Sequence, residues 1–185
     1  MLNPIPSEVD VAVIGAGSAG LPAFRAAREH TDRVILIERG PHGTTCARVG
    51  CMPSKLLIAA AEAAHGMEIA PGFGIHPGSI SIDGEAVMER VRRERDRFVG
   101  FVLDGVDRID PEQKISGQAR FVEDSRLEIG NSQVRAGRVV IASGTSPAIP
   151  DFLEQVRDRV SVNDDVFEWK TLPESVAVFG AGVIA

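Results

Sequence analysis

The chain has 185 residues, 44% of them apolar and 25% charged, the balance of an ordinary globular protein of one domain or slightly more. A net charge of −6 gives a nucleic-acid partner no electrostatic support. No run approaches the roughly 18 uninterrupted apolar residues of a membrane span, and Met1–Asp10 lacks the pattern of a signal peptide. No membrane partner is therefore expected, and the default location is the cytoplasm.

The first predicted element is the β-branched run Val9-Asp10-Val11-Ala12-Val13-Ile14, a buried parallel strand. It leads into Gly15-Ala16-Gly17-Ser18-Ala19-Gly20, a complete G-x-G-x-x-G. A helix over Ser18–His30 follows, with Pro22 tolerable only near its first turn. A second strand, Val34–Ile37, ends in Glu38. Strand, glycines, helix, strand and acid in this order predict a dinucleotide-binding unit. The glycines let the backbone approach a pyrophosphate at the helix N-terminus, and a carboxylate about 20 residues on takes a ribose hydroxyl.

Cys46 and Cys51, the two cysteines of the chain, are separated by four residues. In a regular helix their Cα atoms would lie about 8–9 Å apart, beyond the roughly 7 Å reach of a disulfide. A bridge therefore needs a bent backbone, which Gly50 and Pro53 permit. Such a short-loop bridge is readily reduced, and in a reducing compartment a disulfide is more often catalytic than structural. Two unrelated core thiols are the alternative that spacing leaves open.

Ser54–Met67 is rich in helix formers, with alanines suited to close packing on a sheet or cofactor, and His65 reads as a surface histidine. Ala70–Ser81 reads as a loop. An amphipathic helix starts at Asp83 as N-cap with Glu85 in its first turn, placing Val87, Val91, Phe98, Val102, Val106 and Ile109 inward. Its arginines alternate with acids, which predicts a solvated, ion-paired face. Period two then marks strands over Ile115–Phe121, Arg126–Ile129 and Gln133–Ala136, with turns at Asp124 and Gly130-Asn131, before a buried strand over Arg138–Thr145. Asp151–Pro173 is a polar connector. Val176–Gly182 nearly repeats Val11–Gly17, a second dinucleotide strand and turn of the form G-x-G-x-x-A ending at Ala185.

The segment T-C-A-R-V-G-C-M-P-S-K, Thr45–Lys55, resembles the redox-active stretch of the flavin-dependent pyridine-nucleotide disulfide oxidoreductases. Within that family, Pro53-Ser54-Lys55 is most similar to the dihydrolipoamide dehydrogenase branch, with mercuric reductase close to it. Thr44 stands where the family usually has glycine, and Arg48 where it has asparagine. Gly117–Phe121 matches the family's G-x-A-x-F, and Ala142–Pro147 its A-T-G-x-x-P with Ser143 for threonine.

The resemblance implies an α/β fold: a Rossmann-like FAD-binding domain over residues 1–150, with a parallel sheet, helices and a small antiparallel meander. A connector over 151–173 and the first strand of an NAD-binding domain over 174–185 would follow. It further implies that FAD is held by Gly15, Gly17, Ser18, Ala19, Gly20, Glu38, Arg39, Thr45, Lys55, Ala119, Ser143 and Gly144, with Ala119 beside the adenine. NAD(H) would meet Gly180, Gly182 and Ala185. Cys46 would exchange with a lipoamide-like dithiol or disulfide substrate, Cys51 would stand against the flavin, and Lys55 would tune it; no metal is implied. Without the motif, Lys55 is a solvated surface lysine. The chain would be the N-terminal part of a homodimeric enzyme whose partner subunit supplies a His–Glu pair, and would be inactive alone. Alternatives are mercuric reductase, another disulfide reductase, or a nucleotide-binding module without catalysis.

Overall fold

The computed structural model describes residues 5–182 and 184. Its strands are β1 (Glu8–Ile14), β2 (Val34–Glu38), β3 (Lys114–Ser116), β4 (Ala119–Glu123), β5 (Arg126–Ile129) and β6 (Ser132–Ile141). Its helices are α1 (Gly20–Arg28), α2 (Thr45–Val49), α3 (Cys51–Ile69), α4 (Gly84–Asp107) and α5 (Asn163–Val166). The chain divides into two compact units, residues 1–46 with 99–146 and residues 47–98 with 147–185.

The first unit holds a single six-stranded sheet in the order β3-β2-β1-β6-β5-β4. β1 runs parallel to both β2 and β6, and β3 parallel to β2, while β4, β5 and the start of β6 form an antiparallel meander. β6 serves both parts, pairing with β5 through Ser132–Arg135 and with β1 through Arg135–Ile141. A strand covered on both faces must be apolar on both, and β1 buries Ala12 and Val13 completely, one in each of two clusters. Ala12 joins Ile35, Ile37, Leu127 and Val134 under the meander. Val13 joins Leu21 and Phe24 of α1 and Val106 of α4. Each such aliphatic side chain contributes roughly 1.5–3 kcal/mol on burial.

The second unit is built on α3, the first half of α4 and the segment after Pro147. Asp83 caps α4 as its sequence predicts, its side chain accepting a hydrogen bond from the Ala86 N–H at 3.0 Å. The arginine-rich face is solvated and ion-paired as expected where exposed Arg93 and Arg97 meet Glu94, and departs from expectation at Arg95 and Arg92. Arg95 is buried and donates to Asp96 at 2.9 Å and to the Glu168 carboxylate, while Arg92 donates to the Trp169 carbonyl. Burial works against the Arg95 charge, but its hydrogen bonds to Glu168 and Asp96 outweigh that and raise its pKa. The alanines of α3 are half-buried or exposed, and Pro53 is the one buried residue described in that helix.

Four strand predictions change. Ile115–Phe121 breaks at Gly117, whose φ of +156° ends β3 and whose N–H donates to the Glu38 carbonyl at 2.9 Å. Gln133–Ala136 and Arg138–Thr145 fuse into β6, which stops at Ile141. The predicted strand at Val176–Phe179 is irregular, with Val176, Val178 and Phe179 exposed. A strand takes its hydrogen bonds from neighbours, and none among the described residues pairs with this one. Among the described residues no helix is long and apolar enough to cross a membrane.

Candidate functional site

β1 and β6 lie side by side and parallel at the centre of the sheet, and their carboxyl ends open into a cleft of about 490 Å³. The turn after β1 forms one wall. Gly15 has φ +103°, and a Cβ there would sit 2.2 Å from the Ala142 carbonyl oxygen. A Cβ on Gly20 would sit 1.7 Å from the Gly15 oxygen, so this glycine lets α1 start tight against the strand end. Gly17 differs from both: nothing lies within 4 Å of its Cβ position, and the space in front of it belongs to the cleft.

α1 begins without a side-chain cap and without an acid in its first turn. Pro22 has no N–H, the Leu21 and Ala23 N–H groups donate to the Gly17 and Ala19 carbonyls at 3.0 and 3.2 Å, and the positive end of the helix dipole faces the cleft residues Gly17, Ser18 and Ala19. Glu38 stands at the end of β2. One of its carboxylate oxygens accepts the Ala16 N–H at 2.7 Å and the other the Gly40 N–H at 2.8 Å. Two N–H donors leave lone pairs on both oxygens, enough to accept a pair of ribose hydroxyls as well.

The cleft thus brings together six of the residues expected from the sequence: Gly17, Ser18, Ala19, Thr45, Ser143 and Gly144. Gly15, Gly20 and Glu38 shape and brace it from behind. Ile141, Ala142 and Thr145 also line it; Ala142 and Thr145 belong to the stretch matching A-T-G-x-x-P but carried no assigned role, and the end of a central parallel strand is the signal that finds all three. Arg39 is exposed at the end of β2, and Ala119 pairs with Ile129 and packs on the cluster containing Ile37 and Ile115, outside the cleft lining. The space at Gly17, the uncapped helix and the Glu38 carboxylate fit a dinucleotide with its pyrophosphate on α1.

The cysteines flank a break between two helices and are not bridged in this structure. Cys46 is half-buried in α2, the helix breaks at Gly50 (φ −131°, ψ −123°), and Cys51 opens α3, exposed. Lys55 is an exposed residue of α3, in the second unit, as are Gly180 and Gly182. Gly180 has φ +133°, as a strand-ending turn needs, and Ala185 lies outside the described residues.

Before Cys46 the chain makes two left-handed residues in succession, Gly43 at φ +111° and Thr44 at φ +60°. Thr44 lines a second recess of about 310 Å³ between α1 and the last turns of α4, with Ser18, Leu21, Pro22, Arg25, Phe101, Val102 and Gly105. His42 keeps its Nδ1 buried with no hydrogen-bond partner among the described residues. The sequence marks Thr44 only as a departure from the family's usual glycine, and His42 carries no sequence signal.

Residues 9–185 match the family described as pyridine nucleotide-disulphide oxidoreductase. A mercuric reductase of Streptomyces lividans is 35% identical over 95% of this chain and 38% of its own length. A glutathione reductase of Burkholderia cepacia is 32% identical over 96% and 39%, and a dihydrolipoyl dehydrogenase of Chlamydia muridarum 33% over 95% and 38%. The chain therefore spans about two-fifths of the relatives it matches. The fold is shared with the Cu(II) complex of a cysteine-to-serine mutant of RclA, an HOCl-induced flavoprotein disulfide reductase of Escherichia coli. That match has a TM-score of 0.70 and 21% identity over 91% of this chain and 36% of that one. With the glycine turn, the acid after β2 and the two cysteines in place, the chain belongs to the FAD-dependent pyridine nucleotide-disulphide oxidoreductases.

Proposed function

We propose that this chain supplies the flavin-binding wall and the redox cysteines of a disulfide oxidoreductase that draws on or feeds a nicotinamide cofactor, NAD(H). The observation that supports it is the open space at Gly17, set between an uncapped helix and the end of a central strand. The N–H groups at the start of α1 hold a pyrophosphate, and Glu38 holds a ribose while fixing the turn through Ala16. FAD, when bound, supplies two-electron transfer between nicotinamide and disulfide.

Cys46 and Cys51 carry the electrons onward. As a dithiol they reduce a substrate disulfide to two thiols and become a disulfide themselves; in the opposite direction they oxidise a dithiol such as lipoamide. Cys46 is the exchanging thiol in this proposal and Cys51 the one facing the flavin, with Lys55 tuning it. The recess holding Thr44 lies within two residues of Cys46, and Arg25 gives it one cationic wall, suited to a substrate with a carboxylate. A second reading, with mercuric ion as the species reduced, draws support from relatives named mercuric reductase in Streptomyces lividans and Serratia marcescens. A homodimer of the whole protein, a cytoplasmic location, and a division into FAD segment, connector and NAD-domain start belong to the same proposal.

Stoichiometric oxidation with diamide tests the coupling. Titratable thiols should fall by two per chain, with a mass loss of two hydrogens and no dimer on a non-reducing gel. Retention of both thiols, or cross-linked dimers alone, would remove the pair from the mechanism.

A further inference from the structure

A β-branched residue at positive φ is rare, because Cβ meets the following carbonyl, and here no loop-forming asparagine or glycine stands in its place. Thr44 holds φ +60° directly after Gly43 at φ +111°. Residues held in such conformations cluster at binding sites and switches, where their side chains or their strain are used. The structure supplies a use. The left-handed backbone aims the chain so that Thr44 lines the recess between α1 and α4, opposite Leu21, Pro22 and Phe101. A glycine would adopt the same backbone at no steric cost and leave that wall bare. Cys46 follows two positions later, its Cα no more than about 7 Å away along the chain.

We infer that Thr44 is a specificity-determining residue, a side-chain gatepost that narrows the recess it lines, two residues along the chain from Cys46, and limits the bulk of the disulfide half lodged there. This rests on the reading of Cys46 as the exchanging thiol. The occupant is the non-reacting half of a small organic disulfide. The Cys46 thiolate attacks one sulfur to form a mixed disulfide, the other half leaves as a thiolate, and the proton given up by Cys46 goes to solvent. The substrate disulfide is the oxidant, and no other reagent is consumed.

The test uses the whole chain carrying Cys51→Ser, reduced and then freed of reductant, so that Cys46 exchange stops at the mixed disulfide. Second-order rate constants are measured with methyl methanethiosulfonate, which transfers only a methylthio group, and with the bulky aromatic disulfide DTNB. Thr44→Gly should speed the DTNB reaction by about fivefold or more while the methylthio transfer changes less than about twofold. Thr44→Ser, which removes one methyl, should fall between. A folded variant, verified by circular dichroism and an undiminished Tm, with an unchanged DTNB-to-methylthio ratio would overturn the gatepost. Formation of no mixed disulfide at Cys46 with either reagent would overturn the exchange reading itself. If Thr44→Gly fails to fold, the Thr44→Ser ratio decides alone.

Discussion

A methyl group added at residue 17 and one added at residue 20 do different damage. Gly20→Ala drives a Cβ into the Gly15 carbonyl and should cost roughly 1–3 kcal/mol or more, seen as a lower urea midpoint. Gly17→Ala meets nothing and should leave stability within about 0.5 kcal/mol. It should nevertheless weaken FAD binding at least about tenfold, near 1.4 kcal/mol, in a fluorescence titration. Equal affinities for wild type and Gly17→Ala would take the pyrophosphate away from this turn. Glu38→Ala should weaken the same binding by roughly one to two decades, since it loses the ribose acceptor and frees the Ala16 N–H together. Thr44→Gly should be mildly stabilising, by about 0.5–1 kcal/mol. Relief of a left-handed threonine, about 1–2 kcal/mol, exceeds the entropy glycine adds to the unfolded chain.

Among elements, α4 teaches most about what a sequence shows. Its N-cap at Asp83 and its inward Val91 and Val106 follow from spacing and capping chemistry, which act within a few residues. Arg95 was hidden, because its burial depends on Glu168, a partner far along the chain that no helical period reveals. Arg95→Ala should cost roughly 1–3 kcal/mol in urea unfolding, and Glu168→Ala a comparable amount by leaving the guanidinium with Asp96 alone. A loss under about 0.3 kcal/mol for both would make this contact incidental. The nucleotide cleft was legible for the same local reason as the N-cap: glycines, helix start and acid sit within one β-α-β stretch. The break at Gly117 and the recess at Thr44 were not, since both depend on which strand or helix lies opposite. The strand expected at Val176–Phe179 failed because local composition describes a strand's taste for burial but not the neighbour that must bury it.

On the scale of the whole molecule, a cleft opens at the end of β1 and β6, while among the described residues the second fingerprint's stretch Val176–Gly182 is irregular. Oxidation of NADH by this chain with lipoamide or glutathione disulfide, in the presence of FAD, should stay at the free-flavin background. Turnover above it would show that the irregular stretch from Val176 to Gly182 suffices for nicotinamide. The sheet also sets a timetable. Its central pair joins Val11 to Arg138, so β1 gains its second neighbour roughly 130 residues after it is made. At about 5–20 residues per second on the ribosome, β1 waits several seconds or more with one flank bare. Refolding should then be slow for a chain of this size, because that long loop must close before its strands are rewarded for meeting.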